Sequence, residues 1–132
     1  MKYMLDTNIC IYAIKKQMPL LQKLLAKDPS ELCISSITLS ELLFGIEKSN
    51  MKESNRKKLM TFLTNIAILD YDGDAALEYA KLRNYLERMG QPIGAMDMLI
   101  AAHALSKDMI LVTNNEKEFK RVNDLKLENW CI

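Results

Sequence analysis

A chain of 132 residues, 49% of them hydrophobic, can bury one substantial core but not two, so a single domain over 1–132 is expected. Its 18 lysines and arginines stand against 17 aspartates and glutamates; a net charge of +1 does not announce a nucleic-acid binder, and a local basic face can exist within the neutral total. No apolar run approaches the ~20 residues of a membrane span and no signal-peptide pattern opens the chain, and the scattered Cys10, Cys33 and Cys131 offer neither a disulfide framework nor a zinc site, so a cytoplasmic protein without membrane contact is expected.

Lys2 to Leu5 is a short apolar run ending on Asp6. From Ile9 the apolar residues recur at helix spacing, through Tyr12 and Ala13, which predicts a strand and then a helix over 7–16. Pro19 suits the first turn of a second helix running to Leu25. Leu32 to Ser35 reads as a strand, followed by a helix with one strongly apolar face over 39–46 and a polar, basic helix over 51–63. Ile66 to Leu69 is a third strand. Asp70 to Asp74 is a turn and helix cap rather than a calcium loop, because Lys81 stands where a closing glutamate is needed. The next helix carries a stripe at Ala75, Tyr79, Leu82, Leu86 and Met89 and ends at Gly90 and Pro92. Asp97 to Ser106 is an almost wholly apolar helix, Met109 to Thr113 the clearest strand, Glu116 to Arg121 a short helix, and Leu127 to Trp130 a last edge strand. Strands alternating with helices predict an α/β fold, a parallel β-sheet flanked by α-helices on both faces.

Three acids open helices: Asp6, Glu41 and Asp97. Each has an ordinary structural explanation. Asp6 or Thr7 can cap the first helix, Thr38 and Glu41 fit an S/T-x-x-E capping box, and Asp97 lies where a helix dipole favours any carboxylate. Together they point elsewhere, since a parallel sheet puts all three at the edge where ligands bind. Like charges gathered there repel unless a cation lies between them, and oxygen donors without histidine or cysteine indicate Mg2+ or Mn2+. Such a site suits phosphoryl chemistry. His103 lies about 240° round its helix from Asp97 and reads as a partly buried structural histidine. The Asp6–Asn8 spacing lacks the second aspartate of a haloacid-dehalogenase-like phosphatase, and Asp6 lacks the acidic neighbour of a receiver domain.

The segments MLDTNICIYAIKK, ISSITLSELLFGIEKS, GQPIGAMDMLIAAHALS and LVTNNEKEF, in this order and with a terminal tryptophan, resemble the PIN-domain ribonuclease toxins of the VapC family, over nearly the whole chain. The resemblance implies a PIN fold and a Mg2+- or Mn2+-dependent endoribonuclease. Asp6 and Asp97 would be the principal metal ligands, and Glu41 would complete the shell or orient the attacking water. Thr7, Asn8 and Thr113 would support them. Where many members carry a fourth aspartate this chain has Asn114 and Asn115, with Glu118 close by as a substitute acid. The resemblance further implies cleavage of initiator tRNA in its anticodon stem-loop, a cognate VapB antitoxin, a toxin homodimer, and operator DNA bound through the antitoxin. Candidates for phosphate contacts are Lys15, Lys16, Lys117, Lys120 and Arg121, with the Arg56-Lys57-Lys58 cluster as a further basic surface. The alternative of a different class is a degenerate PIN domain that binds RNA or a partner without cutting; a DNA nuclease would show itself by preferring single-stranded or flap DNA.

Overall fold

Five short strands and seven helices alternate in the computed structural model, which describes residues 1–132. The strands are β1 (Tyr3–Leu5), β2 (Leu32–Ser35), β3 (Ala67–Leu69), β4 (Ile110–Val112) and β5 (Leu127–Glu128). The helices are α1 (Thr7–Ile14), α2 (Leu20–Leu25), α3 (Ser36–Glu47), α4 (Lys52–Leu63), α5 (Gly73–Arg88), α6 (Ala95–Ser106) and α7 (Glu116–Phe119). Every strand pair is parallel, in the order β3-β2-β1-β4-β5. The chain thus builds outward from β1 in one direction and then crosses back to place β4 on its other side. The cleft at that reversal, outside the carboxyl ends of β1 and β4, is where open α/β sheets take their ligands.

Side-chain alternation along the strands divides the core in two. Tyr3, Leu5, Leu32, Ile34 and Val112 point to the face covered by α1 to α4, where Ile9, Leu20, Leu42 and Leu59 close over them. Met4, Cys33 and Leu111 point to the opposite face, against Leu82 and Leu86 of α5, Ile100 and Ala104 of α6, and Phe119 of α7. The predicted layering is therefore observed. All three cysteines are free, with Cys10 and Cys33 buried. No helix is long and apolar enough to cross a membrane.

Several boundaries differ from the sequence-based expectation, each for a local reason. Helix α3 begins at Ser36 because Ser35 is its cap, the Oγ accepting the Ile37 N–H at 3.0 Å. Thr38 lies inside the helix, buried, with its Oγ1 unpartnered, so the Thr38–Glu41 capping box does not form. Helix α1 stops at Ile14, and Lys16 takes a positive φ of 60° in the turn that follows. The last strand ends at Glu128, where the Asn129 carboxamide accepts the Cys131 N–H and turns the chain away. His103 is fully rather than partly buried, its Nδ1 2.8 Å from Ser35 Oγ. The expected end of α5 is found: Met89 closes the helix and Gly90 supplies the positive φ of 65°.

Candidate active site

Asp6 leaves β1 with an extended backbone, which is the conformation a helix N-cap requires, and its Oδ1 accepts the Ile9 N–H at 2.9 Å. The capping role and a place at the sheet edge are thus one geometry. Its other oxygen, Oδ2, accepts from Thr113 Oγ1 at 2.5 Å, across the junction of β1 and β4. Thr113 Oγ1 in turn accepts the Asn115 N–H at 2.9 Å, and Asn115 Nδ2 donates to Glu118 Oε2 at 3.0 Å. The Glu118 carboxyl is near enough to Asp97, in the first turn of α6, to push the Asp97 carboxyl up. A polar chain therefore runs Asp6, Thr113, Asn115, Glu118, and ends beside Asp97. On the other side, Glu41 of α3 accepts from Thr7 Oγ1, the residue after Asp6, at 2.5 Å.

The electrostatics join what the hydrogen bonds leave apart. Asp6 is only 5% exposed, and burial pushes its carboxyl from the ordinary 3.8 up to about 6, against the opposing pull of the Thr113 and Ile9 bonds and with a further push from Glu41. Asp97 also rises to about 6, first through burial and then through the Asp6 charge, the nearby Glu118 carboxyl and the Glu41 charge. The other three acids thus all act on Asp97, and none of the four is paired with a lysine or arginine. The donor set, all carboxylate oxygens at mutual disadvantage and without imidazole or thiolate, fits a hard divalent cation. The donors are gathered but open, for no three of the chain's acidic, histidine or cysteine side chains close on one point as a formed cage. The backbone of Gly94, just before α6, passes close by; a Cβ there would lie 3.5 Å from Asp97 Oδ2.

The structure brings together Asp6, Thr7, Glu41, Asp97, Thr113, Asn115 and Glu118. Asn8 is exposed and joins none of these bonds. Lys117 and Lys120 are exposed on and just after α7, whereas Arg121 donates to the Pro92 carbonyl at 2.9 Å. Lys15 and Lys16 lie in the turn after α1, and Lys15 lines a cavity that also includes Glu41, Asn55 and Lys58. Asn55 was not singled out by its sequence, because a polar residue in a polar helix carries no local mark. Ser35 was also missed, although a serine at a strand end before an apolar-faced helix is itself a cap signal.

The PIN-domain family model matches residues 3–125. The chain is 45% identical over 130 residues to the tRNA(fMet)-specific endonuclease VapC of Shigella flexneri, covering 98% of both chains. It is 49% identical over 133 residues to ribonuclease VapC2 of Rickettsia felis, again covering 98% of both. Its fold superposes with a TM-score of 0.93 on a chain in the crystal structure of Rickettsia felis VapBC2 bound to a promoter DNA fragment, at 46% identity and covering 98% of this chain and 99% of that one.

Proposed function

The chain belongs to the PIN-domain family, and within it to the VapC ribonuclease toxins of VapBC systems; on that premise we propose that it is a divalent-metal-dependent endoribonuclease that cuts initiator tRNA in the anticodon stem-loop and so stops translation initiation. The observation that carries the reading is the gathering of Asp6 and Asp97 at the reversal point of the sheet, two carboxyls raised to about 6 that act on one another, with Thr113, Asn115 and Glu118 in a hydrogen-bonded relay from Asp6.

Asp6 and Asp97 would hold a Mg2+ or Mn2+ ion, with Glu118 as the fourth acid. Such an ion lowers the pKa of a bound water and neutralises charge on the phosphoryl oxygens. Thr113 keeps Asp6 turned toward the cleft and favours its ionised form. Thr7 holds one oxygen of Glu41, leaving the other to orient the water that attacks phosphorus. Asn115 fixes one oxygen of Glu118 on the Asp97 side of the site. The phosphorus–oxygen bond is broken by water directly, with no covalent enzyme intermediate.

An unpaired anticodon loop presents accessible bases and phosphates. Lys15, Lys16, Lys117 and Lys120 would meet its backbone, and Arg121, held by Pro92, would stiffen that margin. A tRNA substrate would put the protein to work in the cytoplasm. The partner would be a VapB antitoxin, which carries operator DNA binding for the complex, and the toxin itself would be a homodimer. Exposed Leu25, Leu43 and Phe44, at 74%, 45% and 65%, supply apolar surface for these contacts.

The deciding experiment incubates wild type and Asp6→Asn with total bacterial tRNA and Mg2+ or Mn2+, with an EDTA control, and maps every new RNA end. A metal-dependent cut in the initiator tRNA anticodon loop that the variant does not make is expected. Cuts elsewhere would change the substrate, and cleavage by Asp6→Asn at the wild-type rate would overturn the site. RNA bound but never cut would favour the binding-only alternative.

A further inference from the structure

We propose, resting on the nuclease reading, that the cavity between α1, α3 and α4 receives one unpaired nucleobase of the RNA beside the scissile bond, and thereby selects which bond is cut. The cavity holds about 370 Å³ and is lined by 10 residues. That is within the ~300–1,000 Å³ of pockets that take a small organic group, and it is short for a peptide helix, which needs a groove several turns long. Its apolar walls come from Ile11, Leu42, Ile46 and Leu59. An aliphatic slot accepts the flat face of a base and rejects the charged sugar–phosphate backbone.

Three further observations favour a base over another apolar occupant. Glu41 lines the cavity and is also bonded to Thr7, the residue after Asp6, so an occupant lies against one of the acids. Lys15 and Lys58 line it as well, and neither pairs with a carboxylate, which leaves both for the phosphates flanking an inserted base. Asn55 is the one lining side chain that offers both a donor and an acceptor, as reading a base edge requires; its Nδ2 is steadied by Ser49 Oγ at 3.2 Å. An unpaired loop base enters without the loss of a base pair.

Gly45 provides the test. It lines the cavity from the middle of α3, and a Cβ there meets nothing within 4 Å, so Gly45→Leu fills the space without disturbing the helix. RNA hairpins in which one loop nucleotide at a time is made abasic are assayed for cleavage with Mn2+ and for binding by anisotropy in EDTA. For wild type, one abasic position beside the cut bond is expected to slow cleavage at least tenfold and weaken binding. Gly45→Leu is expected to cut the intact hairpin as slowly as wild type cuts that abasic one, and to be indifferent to the missing base; Gly45→Ala falls between. Cleavage by wild type at full rate whichever base is missing overturns the inference and leaves the nuclease reading intact. Binding that depends on one base in a protein that cuts nothing keeps the cavity and overturns the nuclease reading. If Gly45→Leu retains base dependence and instead loses a protein partner, the cavity belongs to that partner and the inference falls.

Discussion

Asp6 is ionised in the fold only at a cost. A rise from 3.8 to about 6 at 5% exposure means that ionising it in the fold costs roughly 3 kcal/mol relative to the unfolded chain. Between about pH 4 and 6 the native state holds protons on Asp6 and Asp97 that the unfolded chain has already released. Stability from these two groups is therefore fully present below about pH 4 and is lost as pH rises through about 6. Urea melts in EDTA across that range are expected to show this fall, and Asp6→Asn is expected to lose most of the Asp6 share of it. At pH 7.5 the same variant, which keeps a capping side chain, should be more stable than wild type by roughly 1–3 kcal/mol while losing cleavage. Added Mn2+ should then raise the melting temperature of wild type far more than that of the variant. Thr113→Val tests the opposing influence. Removing a hydroxyl donor from an ionised carboxylate forfeits roughly 1.5–3 kcal/mol, so the midpoint of the cleavage–pH profile should move up by about one to two pH units.

At the scale of elements, α3 and α6 are tied together beneath the acids they carry. Ser35 caps α3 and meets His103 of α6, whose ring stacks edge-on against Tyr71 at 5.7 Å between centroids. Ser35→Ala would remove the cap, worth about 1 kcal/mol, and leave the buried His103 Nδ1 unpartnered, worth roughly 1–3 more. A loss of roughly 2–4 kcal/mol in urea unfolding is the expected result. This tie also explains why the acids were easier to find in the sequence than their supports. Asp6 and Asp97 betray themselves by position, at a strand-to-helix switch and in a helix's first turn. Glu41 was legible as a candidate, but its partner was misassigned: Thr38 is the local choice, whereas Thr7, 34 residues away, is the actual one. Capping rules see four residues, and the bond to Thr7 exists only once α1 and α3 are packed.

For the whole molecule, strand existence and parallel pairing were legible from apolar runs alternating with helices, but strand order was not. Nothing local places Met109–Thr113 beside Tyr3–Leu5, and that adjacency makes the Asp6–Thr113 bond possible. It also puts Leu111 in the middle of the sheet with no exposure, so Leu111→Ala should cost about 2–5 kcal/mol by denaturant unfolding. The bond between Asp6 and Thr113 joins positions 107 residues apart. Asp97, Thr113, Asn115 and Glu118 all come from the final third of the polypeptide, so a nascent chain displays Asp6 and Glu41 early and the other two acids last. On the proposed site, cleavage therefore becomes possible only when the polypeptide is nearly finished, and a product truncated ahead of β4 is expected to cut no RNA.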